Sequence, residues 1–133
     1  MNSAKKYFLE KECAFVLIND DVTHVSHERG IRRLLDLTNI MKGADIADKI
    51  VGYAAAAIMV EFGARAVYAE VLSVPAKECL EKAGVELSFG RLVENIKNRD
   101  KTGMCPMERA TLGKQPKEAV RILRNMLDMG NNV

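Results

Sequence analysis

The stretch Ala44–Gly63, ADIADKIVGYAAAAIMVEFG, decides how this chain of 133 residues is read. From Ile50 to Val60, eleven residues carry no charge, and Ala54–Ala57 lie in their midst. Asp45 and Asp48 precede that run, where negative charge suits the positive end of a helix dipole. Gly63 closes it in the position a left-handed helix cap favours. Ala, Ile, Met and Val facing every direction predict a helix over Asp45–Gly63 that is covered on all sides, unlike a surface helix with one apolar stripe. Any ligand is expected near one end of this helix.

Composition bounds the rest. The length suits one domain, residues 1–133, with a core large enough to stand without disulfides. A content of 48% hydrophobic and 29% charged residues is that of a soluble globular protein. The opening residues lack the apolar stretch of a signal peptide, and the uncharged run is about half a membrane span, so a cytoplasmic protein without membrane contact is expected. Cys13, Cys79 and Cys105 are odd in number and far apart, which argues against a disulfide framework. With His24 and His27 they form neither CxxC nor HExxH, so neither a metal nor another cofactor is expected.

Charge is unevenly spread. Lys97–Arg124 holds eight basic residues and three acids, a balance of +5 within a total of +2. A phosphate-bearing small molecule, nucleic acid or a plain solvated face would each fit that excess. The aromatic content of 5%, with no Trp, leaves little for a stacking platform and ranks nucleic acid low.

Along the chain, Ser3 caps a first helix to about Glu12. Cys13–Ile18 and Val22–Ser26 form a hairpin around Asn19-Asp20-Asp21. Gly30 opens a helix over Ile31–Met41 on the stripe Ile31, Leu34, Leu35, Thr38 and Met41. Beyond the long helix, Ala66–Leu72, Val74–Ala83 and Val85–Phe89 read as strand, helix, strand, a parallel unit with a right-handed crossover. Ser73 and Pro75 mark the start of that helix and Gly84 its end. A short helix near Leu92–Lys97, another from Pro106 and an amphipathic helix over Pro116–Met129 complete the chain.

Two places carry candidate chemistry. In Asn98–Glu108, Cys105-Pro106-Met107-Glu108 puts a thiol at a helix cap, Pro at its first position and Glu at its third, a capping box with sulfur in place of a hydroxyl. That loop reads as a plain helix start, as an anion-binding corner using Thr102, the Gly103 backbone and free helix amides, or as a nucleophilic Cys105 beside Arg99 and Lys101. Gly52 and Tyr53 form the second place. A glycine within a helix costs about 1 kcal/mol against alanine. It is tolerated where another backbone or a ligand comes close.

The element order resembles the cytidine-deaminase-like fold. Zinc deaminases place a His/Cys-x-Glu signature at the start of the buried helix and Pro-Cys-x-x-Cys at the next. Here the second place reads Pro75-Ala76-Lys77-Glu78-Cys79, and the first, between Asp48 and Ala54, has no His, Cys or Glu. One zinc ligand of three matches, so zinc-dependent deamination is set aside. A closer resemblance spans nearly the whole chain. Glu28-Arg29-Gly30-Ile31, Asp48-Lys49-Ile50-Val51-Gly52, Tyr68-Ala69-x-Val71-x-Ser73 and Asn98-Arg99-Asp100-x-Thr102-Gly103-x-Cys105-Pro106-Met107-Glu108 are similar to an uncharacterised prokaryotic family, domain of unknown function 1893. That resemblance implies a deaminase-like fold without the zinc site. It also marks Tyr53 as a departure, because the family pattern has lysine there.

The expectation is therefore a three-layer α/β/α domain, cytidine-deaminase-like, with a mixed sheet of about four strands around the buried helix. Its expected activity is the binding of a nucleotide or other phosphorylated small molecule by Asp48, Lys49, Gly52, Tyr53, Ser73, Arg99, Thr102, Gly103 and Glu108. An enzyme using Cys105 as nucleophile or redox thiol is the first alternative. A noncatalytic interaction domain is the second, pairing through the last helix or a sheet edge, and a homo-oligomer is compatible with either.

Overall fold

The computed structural model describes residues 2–20, 22–28, 30–97 and 103–127. Helix α1 (Asn2–Glu10) leads into a hairpin of β1 (Phe15–Asn19) and β2 (Val22–Ser26), with Asp20 left-handed at φ 50° in the turn. Helix α2 covers only Ile31–Asp36, and a 3₁₀ turn at Thr38–Ile40 replaces the rest of the predicted Ile31–Met41 helix.

The largest correction falls on the opening stretch. Asp45–Val51 is a strand, β3, and only Tyr53–Glu61 is helical, α3. Strand β4 (Ala66–Ser73), helix α4 (Val74–Lys82) and strand β5 (Glu86–Val93) follow. The predicted helix near Leu92–Lys97 is absent, because β5 runs on to Val93. Helices α5 (Pro106–Thr111) and α6 (Pro116–Met126) end the described chain.

The sheet has five strands, not about four, in the order β2-β1-β3-β4-β5. β1 is antiparallel to both neighbours, while β3, β4 and β5 run parallel. Two consecutive βαβ units, β3-α3-β4 and β4-α4-β5, thus carry the centre of the fold. Helix α1 covers one face, where Ala4 and Phe8 pack on Val16, Ala47 and Tyr68, with Phe8 edge-on to Tyr68 at 5.9 Å. The other face, with Leu17, Ile46, Val67 and Leu72, meets α3 and α4. Helix α6 in turn packs on α3 and adds Ala119, Val120 and Leu123 to the buried residues.

Helix α3 therefore has protein on every side. Every residue from Ala54 to Met59 is buried. Four alanines in that run keep the helix thin enough to fit between the sheet and α6, and alanine costs no side-chain entropy. The exit is held by Gly63, left-handed at φ 82°. Asp45, buried on a central strand, pairs with Arg65 at 2.5 Å. No helix among the described residues is long and apolar enough to cross a membrane.

The packing around α3 makes a direct prediction. Ala56 is fully buried, so Ala56→Leu should overpack the layer and cost about 1–3 kcal/mol in urea unfolding. A change under about 0.5 kcal/mol would mean that α3 has free space beside it.

Candidate functional site

The site is built where β3 ends and α3 begins. Gly52 is the N-cap of α3, with φ −102° and ψ −173°, an extended backbone that any residue can adopt. Its reason is space. A Cβ there would lie 2.5 Å from Glu108 Oε1 and 2.6 Å from Ile96 Cγ1.

A glycine cap leaves the first amides of a helix without a side-chain acceptor. Glu108, 5% exposed, supplies one from α5. The Tyr53 N–H donates to Glu108 Oε1 at 2.6 Å, and the Ala54 N–H donates to Oε2 at 2.7 Å. The expected capping box on α5 does not close: the Cys105 thiol makes no cap bond, and the Cys105 N–H donates to the Ile96 carbonyl at 3.0 Å. The glutamate that the motif assigns to its own helix caps a different one.

Beside this clamp lies a cavity of about 300 Å³. Asp48 and Ile50 of β3, Gly52, Ala54 and Ala55 at the start of α3, Ile31 and Leu34 of α2, Ile96 and Lys97, and Cys105, Met107 and Glu108 line it. It lies at the carboxyl end of β3, and the carboxyl ends of parallel strands are the usual location of ligands in such sheets. Asp48 is 7% exposed, and its Oδ1 accepts from the Lys49 N–H at 2.8 Å. Burial pushes the Glu108 carboxyl above the usual glutamate range, opposed by the amide bonds from Ala54 and Tyr53.

Of the residues singled out in sequence, Asp48, Gly52, Cys105 and Glu108 meet in this cavity. Ser73 does not: it is fully buried as the cap of α4, its Oγ accepting from the Ala76 N–H at 3.2 Å. Lys49 is exposed and lies near Cys13, whose thiol burial pushes up and the Lys49 charge draws down. Gly103 is half-buried and is not among the lining residues. Arg99 and Thr102 lie outside the described residues.

Tyr53 lines a second cavity, of about 590 Å³, with Cys79, Lys82, Leu112 and Lys114. Its hydroxyl donates to the Lys114 carbonyl. Burial, with the nearby Cys79 thiol adding, raises the Tyr53 hydroxyl, and burial likewise raises the Cys79 thiol. Tyr53 thus stands on the α4 side of α3 and is not among the residues lining the first cavity. Cys13, Cys79 and Cys105 are all free thiols. Among the described residues, no group of three or more His, Cys, Asp and Glu is placed to hold a metal ion.

The fold and cavity define a mixed α/β protein with a five-stranded sheet, helices on both sides and a small-molecule-sized hollow at the carboxyl edge of β3. The chain belongs to the family described as TM1506, domain of unknown function (DUF1893), which matches residues 3–127. The crystal structure of a DUF1893 family protein (TM1506) from Thermotoga maritima is similar to it, with a TM-score of 0.84 and 26% sequence identity. That match covers 94% of this chain and 88% of the other. No curated protein shows significant sequence similarity to the chain.

Two tests address the clamp. Glu108→Gln puts an amide NH₂ against one of the two α3 N–H groups and should cost about 1–3 kcal/mol in urea unfolding. Gly52→Ala displaces the same carboxylate, so the double variant should lose less than the sum of the two single losses. Additive losses would show that the two residues act separately.

The pH dependence follows from the raised Glu108 carboxyl. The native state keeps this proton to a higher pH than the unfolded chain does. The stability it adds is complete below the ordinary glutamate value and is lost as pH rises through the native value. Melting temperatures across that window should therefore move in favour of the unaltered protein over Glu108→Gln as pH falls. The opposite trend would mean that the amide bonds outweigh burial.

Proposed function

We propose that this chain binds a nucleotide or other phosphorylated small molecule in the cavity at the start of α3, within a cytidine-deaminase-like fold that works without zinc. The observation that carries this reading is the convergence of Asp48, Gly52, Cys105 and Glu108 on one cavity at the carboxyl edge of β3. The cavity is at the small end of the range for ligand sites, room for one ring-sized group with the remainder outside. Lys97 lines it and is exposed, a cation available to a phosphate there.

The fold assignment is supported by the hairpin leading into β3-α3-β4-α4-β5, with β3, β4 and β5 parallel. Zinc deaminases carry their ligands at the starts of two successive helices. The corresponding starts here are Gly52-Tyr53-Ala54 and Val74-Pro75-Ala76.

A second reading has one observation in its favour. The Cys105 thiol lines the same cavity and is left free by the cap of α5, so it could act as a nucleophile or redox thiol on whatever binds there.

A thermal-shift screen of nucleotides and phosphorylated metabolites tests the first reading. A binder should raise the melting temperature through its affinity for the native state. The shift should shrink in Lys97→Ala and persist in Cys105→Ser. A screen without a hit, or a hit indifferent to Lys97, would count against phosphate recognition. Loss of turnover in Cys105→Ser with binding retained would establish the second reading instead.

A further inference from the structure

Helices α4 and α6 both pack on α3, and between α4 and the turn that joins α5 to α6 lies the cavity of about 590 Å³. It shares no lining residue with the first cavity. Among its described lining residues, Tyr53, Val60, Pro75, Cys79, Leu112 and Pro116 are half-buried and form the floor. The charged ones, Glu78, Lys82 and Lys114, are exposed, so their charges stay with solvent at the mouth. The floor is therefore apolar, with two polar side-chain groups, the Tyr53 hydroxyl and the Cys79 thiol. Small-molecule sites are built in this way, and the volume falls well inside their range.

The hydrogen-bonding capacity of those two groups decides what fits. A phenol carries one proton to donate. That of Tyr53 goes to the Lys114 carbonyl, so its oxygen has only lone pairs left to offer. Burial raises both the Tyr53 hydroxyl and the Cys79 thiol, and each keeps its proton at neutral pH. The thiol is a weak donor and a weak acceptor, and packs as a small apolar group. What the floor offers a ligand is thus one accepting oxygen beside apolar surface. A donor carried on an apolar ring complements it, whereas an acceptor in the same place sets two oxygens against each other.

We infer that this second cavity binds a ring-bearing molecule whose inserted part is neutral, with an O–H or N–H donor directed at the Tyr53 hydroxyl oxygen and its carbon frame laid against Val60, Pro75, Cys79, Leu112 and Pro116. The site is separate from the one proposed above and takes a different chemical class. Tyr53 stands between the two. Its backbone N–H donates to Glu108 in the wall of the first cavity, and its hydroxyl donates to the turn that walls the second.

Two probes of nearly one shape, p-cresol and p-fluorotoluene, differ in that donor. Each is titrated into the unaltered protein and into Tyr53→Phe. Binding is read from the rate at which iodoacetamide alkylates Cys79, with Cys13 and Cys105 resolved from it by peptide mass spectrometry. Both probes should slow alkylation of Cys79 several-fold at saturation and leave Cys105 at its own rate. In Tyr53→Phe the ratio of the two affinities should shift about fivefold against p-cresol, the worth of one neutral hydrogen bond. A ratio that Tyr53→Phe leaves unchanged overturns the assigned donor. Cys79 alkylated at its full rate with both probes present, or Cys105 slowed in its place, overturns the site itself.

Discussion

The Glu108 carboxylate on the first amides of α3 is the contact on which the rest depends. A helix buried at its start must satisfy several N–H groups that have no partner within the helix. Most helices do this with a local Ser, Thr, Asp or Asn. Here the cap is Gly52, so the acceptor arrives from α5, fifty-five residues along for the Tyr53 amide. One side chain thereby satisfies the helix, fixes α5 against the βαβ core and shapes a cavity wall. The absent side chain at Gly52 is what lets it approach.

The same contact explains why α3 can be so featureless elsewhere. Its buried run Ala54–Met59 carries no polar side chain, so nothing along its length orients it except shape. Packing on the sheet, α4 and α6 holds the helix in place, while the two amide bonds set its start. Polar contacts of this kind specify a position more than they add stability, because both partners give up water to form them.

The legible parts of the fold were those with local punctuation. Ser73, Pro75 and Gly84 bracket α4, and the parallel unit on either side of it follows from chain geometry alone. The β3 strand lacked such marks. Asp45, Asp48 and Lys49 on it imitate the charged start of a helix, although a central strand normally reads as apolar. The burial of the two acids is made tolerable by contacts that sequence does not display, such as Arg65 with Asp45. Gly52 was the available signal: a glycine after Ile50-Val51 marks a strand-to-helix turn as naturally as a flaw inside a helix. The site was half legible for the same reason. Glu108 stood out through its local motif, but the partner it serves lies across the fold. Ile31, Leu34 and Ile96 had no mark beyond being apolar.

Sequence charge also translated poorly into surface charge. The basic stretch Lys97–Arg124 suggested a phosphate or nucleic-acid face, yet several of its cations have local engagements. Arg109 donates to the Met104 carbonyl at 3.3 Å, Arg121 pairs with Glu118 at 3.4 Å, and Arg124 lies 5.8 Å from the centre of the Phe62 ring. Such contacts spread the charge over separate parts of the C-terminal third. Among the described residues, the charged groups that the first cavity receives from this stretch are Lys97 and Glu108, a cation and an acid from a segment whose net charge is strongly positive. The local field at a site is set by which few groups the fold turns toward it and how far they are from water. Among the described lining residues of this cavity, those groups are the buried Asp48 and Glu108 and the exposed Lys97.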